Sequence, residues 1–213
     1  MPRLKQVPKS DAPPDIQRVY ETIFGERDPV AEPGTATGTP GNWWTVFALV
    51  PDVLRHAMAG FAVFNSPERS LDPSLRELAL LRAGWVSGCQ FVFSQHSKVA
   101  LAVGVDPAKI AAIPSFASSD AYDARERAVL AFTDDLVRAD GRVADETFAA
   151  LRGNLGDEAI LELAYVVATY HMHAIVSRAL RLEYDDVPDR VVEVTAPEGF
   201  EPSQLMALVR KKS

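Results

Sequence analysis

Three residues in one short run, Glu77, Cys89 and His96, could together do chemistry, and Cys89 is the only thiol in the chain. A buried carboxyl near a histidine can take or give a proton near neutrality, and a thiol in the first turn of a helix favours the thiolate. Desolvation would raise the pKa of Glu77 unless a positive neighbour reverses the shift.

The segments carrying these groups must bring them together. Residues 74–86 hold Leu, Ala and Arg at nearly every position with no internal proline, which predicts a helix. On it Glu77 shares a face with Leu80, Leu81, Gly84 and Gly88, so the carboxyl faces packing. Gly88 is the expected stop, and Cys89 then opens the next helix. In that second helix Cys89, Val92, Phe93, His96, Val99, Ala100 and Val103 form one inward stripe. Cys89 and His96 fall two turns apart, about 10 Å along the axis, which leaves room for a substrate or water between them.

The spacing Glu77, eleven residues, Cys89, two residues, Val92, three residues, His96 resembles the alkylhydroperoxidase D / carboxymuconolactone decarboxylase superfamily, as do Arg76-Glu77-Leu78-Ala79 and Gly88-Cys89. The resemblance covers roughly Asn42 to Asp185. It implies an all-α, multi-helix bundle that assembles as a homo-oligomer, with a site near a subunit boundary. The peroxidase branch of that family carries a second cysteine, the one that attacks peroxide, where this chain has Val92. The resemblance therefore supports the fold more than the redox activity.

Three readings follow. In the first, a cofactor-independent decarboxylase, lyase or hydrolase acts on a small lactone or enol acid, with Glu77 as proton carrier, His96 as its partner and Cys89 as a polar or thiolate wall. In the second, Cys89 acts as a thiol peroxidase recycled by an external thiol. In the third, Glu77 and His96 merely pair inside a non-catalytic bundle. Trp85, Val92, Phe93, Trp44, Tyr170 and His171 are the expected substrate-binding residues. No metal or other cofactor is called for, and the partners expected are a small-molecule substrate and further copies of the chain as a dimer, trimer or hexamer.

Composition narrows the classes. At 213 residues with 47% hydrophobic content the chain can bury one core of ordinary size. A net charge of −7 and no large basic cluster argue against a nucleic-acid partner. No apolar run of membrane-spanning length and no secretory stretch stands out, so neither a membrane nor a secreted location is expected, and a cytoplasmic one is. One cysteine excludes an internal disulfide and a thiolate zinc site.

The chain divides into an arm, short helix and loop over 1–40, a helical domain over 41–185 and a tail over 186–213. Pro13-Pro14 ends an arm that can lie on a neighbouring subunit, and a short helix over 15–24 follows. One of Trp43 and Trp44 should meet the core and the other a pocket rim or partner. Further helices are expected from Pro51, after Asp106-Pro107, over 123–139, over 144–155 and over 157–182. In the last of these His171 lies on the stripe of Ile160, Ala164, Val167, Ala174, Ile175 and Arg178, with His173 turned about 200° away from it. Asp134-Asp135 reads as a solvated pair. No strand pattern is present, so the class is all-α.

Overall fold

A computed structural model describes residues 1–185 and 198–199, and among them the chain is helical without a strand. The tail assigned to 186–213 otherwise lies outside the described residues. Two compact units separate, one built from 1–67 with the described residues from Ser177 onward, the other from Glu68–Val176.

The first unit contains α1 (Pro14–Phe24), α2 (Asn42–Phe47) and α3 (Pro51–Phe64). Pro14 and Pro51 each stand in the first turn of their helices, where a missing N–H costs nothing. Ile16, Tyr20 and Phe24 bury one face of α1. The arm does not need a neighbouring subunit as a bed: Arg3 N donates to the Leu180 carbonyl at 2.9 Å and Val7 N to that of Thr45 at 2.9 Å. Trp43 is the tryptophan that enters the core, stacked on Phe47 with ring centroids 4.0 Å apart, while Trp44 is half-buried at its edge.

The second unit is organised around α4 (Pro73–Val86), which packs against α5 (Gln90–Ala102) and α7 (Ala124–Arg138). α6 (Pro107–Ala112), a 3-10 turn over Ile113–Ser118 and α8 (Asp145–Arg152) connect these, and α9 (Asp157–Leu180) belongs to this unit up to Val176. Asp72, Asp106 and Asp123 cap α4, α6 and α7 by accepting from backbone N–H groups of the first turn, and Asp123 forms a capping box with Glu126.

Every residue of α4 from Leu75 to Gly84 is buried, so this helix is interior on all sides rather than on one face. Its two arginines must therefore find partners inside. Arg82 forks onto Asp134 at 2.6 and 2.8 Å and donates to the Ile113 carbonyl at 2.8 Å. Asp134 is thus an anchor rather than half of a solvated pair, because the interior guanidinium needs a bidentate acceptor. Asp135 accepts from Ala144 N at 3.1 Å. Leu78, Leu81, Phe93, Ile113, Phe116 and Leu130 form the core between these helices.

Among the described residues α9 is long and apolar enough to cross a membrane by length and composition, which corrects the expectation that no segment is. Thr, Tyr and His break up its apolar run, yet no Asp, Glu, Lys or Arg stands between Glu162 and Arg178. A core helix meets the same criteria, and Leu163, Val166, Val167 and Ala174 are fully buried.

Candidate functional site

The junction of α4 and α5 is made by glycine. Gly88 takes a φ of 61°, and the chain closes α4 with Gly88 N donating to the Trp85 carbonyl at 3.0 Å and Cys89 N to that of Gly84 at 2.9 Å. This pair of bonds is a Schellman closure, which a left-handed residue such as glycine allows. Cys89 then becomes the N-cap of α5, with Sγ accepting from Val92 N at 3.5 Å. Gly84 lets the two helices touch, since a Cβ there would lie 2.9 Å from the Phe93 nitrogen.

That close packing joins Glu77 of α4 to His96 of α5. The His96 Nδ1 to Glu77 Oε2 distance is 2.7 Å, and Arg76 Nε donates to the other carboxyl oxygen at 2.8 Å. Glu77 is 2% exposed, so these contacts, rather than water, carry its charge. Burial is the largest influence and pushes the carboxyl up, but the charges and hydrogen bonds of His96 and Arg76 outweigh it and hold Glu77 below its ordinary value. The expected upward shift is thereby reversed by positive neighbours. With the carboxyl ionised, Nδ1–H of His96 donates to it and Nε2 is left for other work.

Tyr170 of α9 meets the His96 ring edge-on, centroids 4.5 Å apart. Burial first, and then the negative charge of Glu77, push its hydroxyl upward against the counter-effect of Arg76, so the phenol stays protonated. Tyr170 also packs with Phe91 against the buried group of Cys89, Val92 and Ala174. One tyrosine therefore touches both the imidazole and the surroundings of the thiol.

The remaining expected site residues part company. Phe93 and Trp85, with ring centroids 5.8 Å apart, pack into the core of Leu78 and Leu130 rather than with Cys89. Trp44 belongs to the first unit. His171 is half-buried, its Nδ1 2.9 Å from Ser87 Oγ, and it is His173 that is buried beside the Tyr170 ring at 5.9 Å. The inward stripe of α9 runs through Leu163, Val166, Val167, Ala174 and Ser177, which carries His173 inward, whereas Ile175 and Arg178 are exposed. Arg76 had no assigned role in the sequence reading, although its place beside Glu77 was visible. Among the described residues no group of three His, Cys, Asp or Glu side chains is arranged to hold a metal ion.

Residues 51–135 match the model of the Carboxymuconolactone decarboxylase family. The chain is similar in structure to an alkylhydroperoxidase AhpD core, an uncharacterized peroxidase-related protein from Ralstonia eutropha, with TM-score 0.70 and 19% identity over 87% of this chain and 93% of that one. It is similar also to the debrominase Bmp8, crystallised as a cysteine-to-alanine variant with 2,3,4-tribromopyrrole (TM-score 0.65, 18% identity, 98% of this chain and 100% of that one). A peroxidase-related protein from Silicibacter is a third (TM-score 0.64, 19% identity, 85% of this chain and 94% of that one). No curated protein matches the sequence. At these identities the likeness carries the fold, while the matched residues enclose Glu77, Cys89 and His96 in order. The segment 51–135 is thus similar to the carboxymuconolactone decarboxylase family, and the fold is that of the alkylhydroperoxidase D-like structures.

Proposed function

We propose that this protein is a cofactor-independent acid–base enzyme acting on a small lactone or enol acid, as a decarboxylase, lyase or hydrolase, with His96 as the proton carrier. The observation that carries the reading is the 2.7 Å bond from His96 to a carboxylate held ionised in the interior. Both oxygens of Glu77 are engaged, one by His96 and one by Arg76, so Glu77 serves as the positioning group. This exchanges the roles first expected for Glu77 and His96.

In decarboxylation of an unsaturated lactone acid, the electron pair of the breaking C–C bond passes into a dienolate ending on the lactone oxygen as carbon dioxide leaves. Protonated His96 would deliver a proton from Nε2 to carbon, and water would restore it. Glu77 stabilises the imidazolium, and Tyr170, kept protonated, can donate to the oxygen where charge collects. The 2,3,4-tribromopyrrole of the debrominase is a small planar ring, the size of ligand this reading calls for.

A second reading, a thiol peroxidase using Cys89, draws on one observation: the thiol caps α5 and accepts a backbone N–H there. It would need a thiol partner for turnover, and Cys89 is fully buried. Small unsaturated lactone acids and hydroperoxides assayed side by side separate the two. Lactone turnover falling about 10²- to 10⁴-fold in His96→Asn and surviving in Cys89→Ser is the expected result. Hydroperoxide turnover abolished by Cys89→Ser, with no lactone consumed, would replace the first reading by the second.

A further inference from the structure

Ser87 and His171 stand 84 residues apart in the sequence, and the fold brings Ser87 Oγ to 2.9 Å from His171 Nδ1. Ser87 is the C-cap of α4, its backbone N–H donating to the Ala83 carbonyl at 2.9 Å, and the Schellman closure at Gly88 and Cys89 fixes the same turn. His171 comes from α9, within the same unit. Both residues are half-buried, whereas Cys89 is 0% and His96 7% exposed. A hydroxyl and an imidazole within hydrogen-bond reach, held by separate elements and reachable from solvent, are the parts of an activated nucleophile.

We propose that Ser87 and His171 form a nucleophile–base pair that transfers the acyl group of a small uncharged ester or lactone. This covalent chemistry is separate from the proton transfer assigned to His96 and does not depend on it. His171 carries its proton on Nε2, so that Nδ1 accepts from the Ser87 hydroxyl. Ser87 Oγ bonds to the acyl carbon as its proton passes to Nδ1, the C–O bond to the alcohol breaks, and the alcohol leaves with the proton from Nδ1. Water then attacks the acyl-serine through the same base, which releases the acid and returns the hydroxyl to Ser87.

The surroundings set the substrate class. No Asp, Glu, Lys or Arg stands on α9 between Glu162 and Arg178, and Ile175, one turn on from His171, is 54% exposed. The imidazole therefore has an apolar, uncharged shoulder on which a short acyl chain can lie. Cys89 caps α5 two residues past Ser87, so the positive end of that helix adjoins the hydroxyl and favours the negative oxygen of the tetrahedral intermediate.

The test is labelling of the full chain with diisopropyl fluorophosphate, in which Oγ bonds to phosphorus, fluoride leaves and His171 takes the proton. Peptide mass spectra should place one adduct on Ser87 rather than on Ser94 or Ser97, at a rate about 100-fold or more above that of the same residue in the urea-unfolded chain. His171→Gln keeps a hydrogen-bond acceptor and loses the base, so it should slow labelling by about 100-fold with far-UV circular dichroism unchanged, and hydrolysis of p-nitrophenyl acetate should fall with it. Ser87→Ala should abolish both. Labelling of the folded wild-type chain at no more than the unfolded rate, an adduct placed elsewhere, or a rate indifferent to a folded His171→Gln would overturn the proposal. The folded-to-unfolded comparison needs no variant to fold. Labelling is read without any lactone turnover, so its failure is distinguishable from failure of the reading that rests on His96.

Discussion

At the scale of single residues the interior of the second unit poses a contest over Glu77. Burial pulls the carboxyl toward its neutral form, and the charges and hydrogen bonds of His96 and Arg76 pull it back. The neighbours win, and the bond to His96 depends on that outcome. Arg76→Met removes one of the two, so Glu77 should move upward, and the acid limb of the kcat/KM profile should shift to higher pH. An unshifted limb would show that Arg76 is packing only. Glu77→Gln goes further, leaving the Arg76 guanidinium and the His96 ring in the interior without their carboxylate, and should lower unfolding free energy by about 3–5 kcal/mol in urea titrations. The loss should shrink under acid: a carboxyl held low stabilises above its ordinary range, and that contribution disappears as pH falls through the depressed folded value. Glu77 and His96 could be found in the sequence because nineteen residues of two consecutive helices bring them to one face. The direction of the shift could not, because it depends on where the Arg76 guanidinium ends up, and adjacent residues on a helix ordinarily diverge.

At the scale of elements, two joints carry the rest. The helix–helix contact at Gly84 has no room for a side chain, so Gly84→Ala gains about 1 kcal/mol of helix propensity and loses about 1–3 kcal/mol to overpacking against backbone that cannot step aside. Thermal unfolding should show net destabilisation, with activity falling as the 2.7 Å bond between Glu77 and His96 is stretched. The other joint lies in the first unit, where α2 begins at Gly41, which has no side chain to cap it. Glu183 supplies the cap from a distant part of the chain, its oxygens accepting from Gly41 N at 2.9 Å and Trp43 N at 2.6 Å, while its own N–H donates to Asn42 Oδ1 at 2.7 Å. Burial raises Glu183 to about 7, aided by the nearby charge of Asp185 and opposed by the bonds from Trp43, Gly41 and Thr39. Folded Glu183 thus keeps its proton where the unfolded chain releases it, and stability should fall by roughly 3 kcal/mol as pH rises from the ordinary carboxylate range to about 7. Denaturation midpoints of Glu183→Gln should lose that slope, and a slope equal to that of the wild type would refute the assignment. Helix starts were legible wherever an aspartate precedes a proline or an apolar run, as at Asp106 and Asp123. The facing of α9 was not, because it is apolar on several sides and its periodicity fits more than one phase. A cap delivered from Glu183 to Gly41 leaves no local signal at all.

At the scale of the whole molecule, the all-α class was readable because apolar residues recur at helical spacing and never alternate. The separation into two units was not, because the first unit gathers its pieces from both ends of the described chain. The single cysteine offers a way to follow the second unit alone. Cys89 is fully buried among Val92, Ala174, Phe91 and Tyr170, so a soluble alkylating reagent reaches it only when α5 and α9 part. With reclosing fast relative to alkylation, the labelling rate equals the unfolded-chain rate multiplied by the open fraction, which places native labelling about 10³-fold or more below the denatured rate. The rate should climb exponentially with urea in step with the helical signal if opening requires global unfolding. A rate that climbs earlier would mean that the second unit opens by itself. Labelling at the free-thiol rate in the absence of urea would show instead that the thiol is open to solvent, the access a peroxidase needs, and would move the balance toward that chemistry.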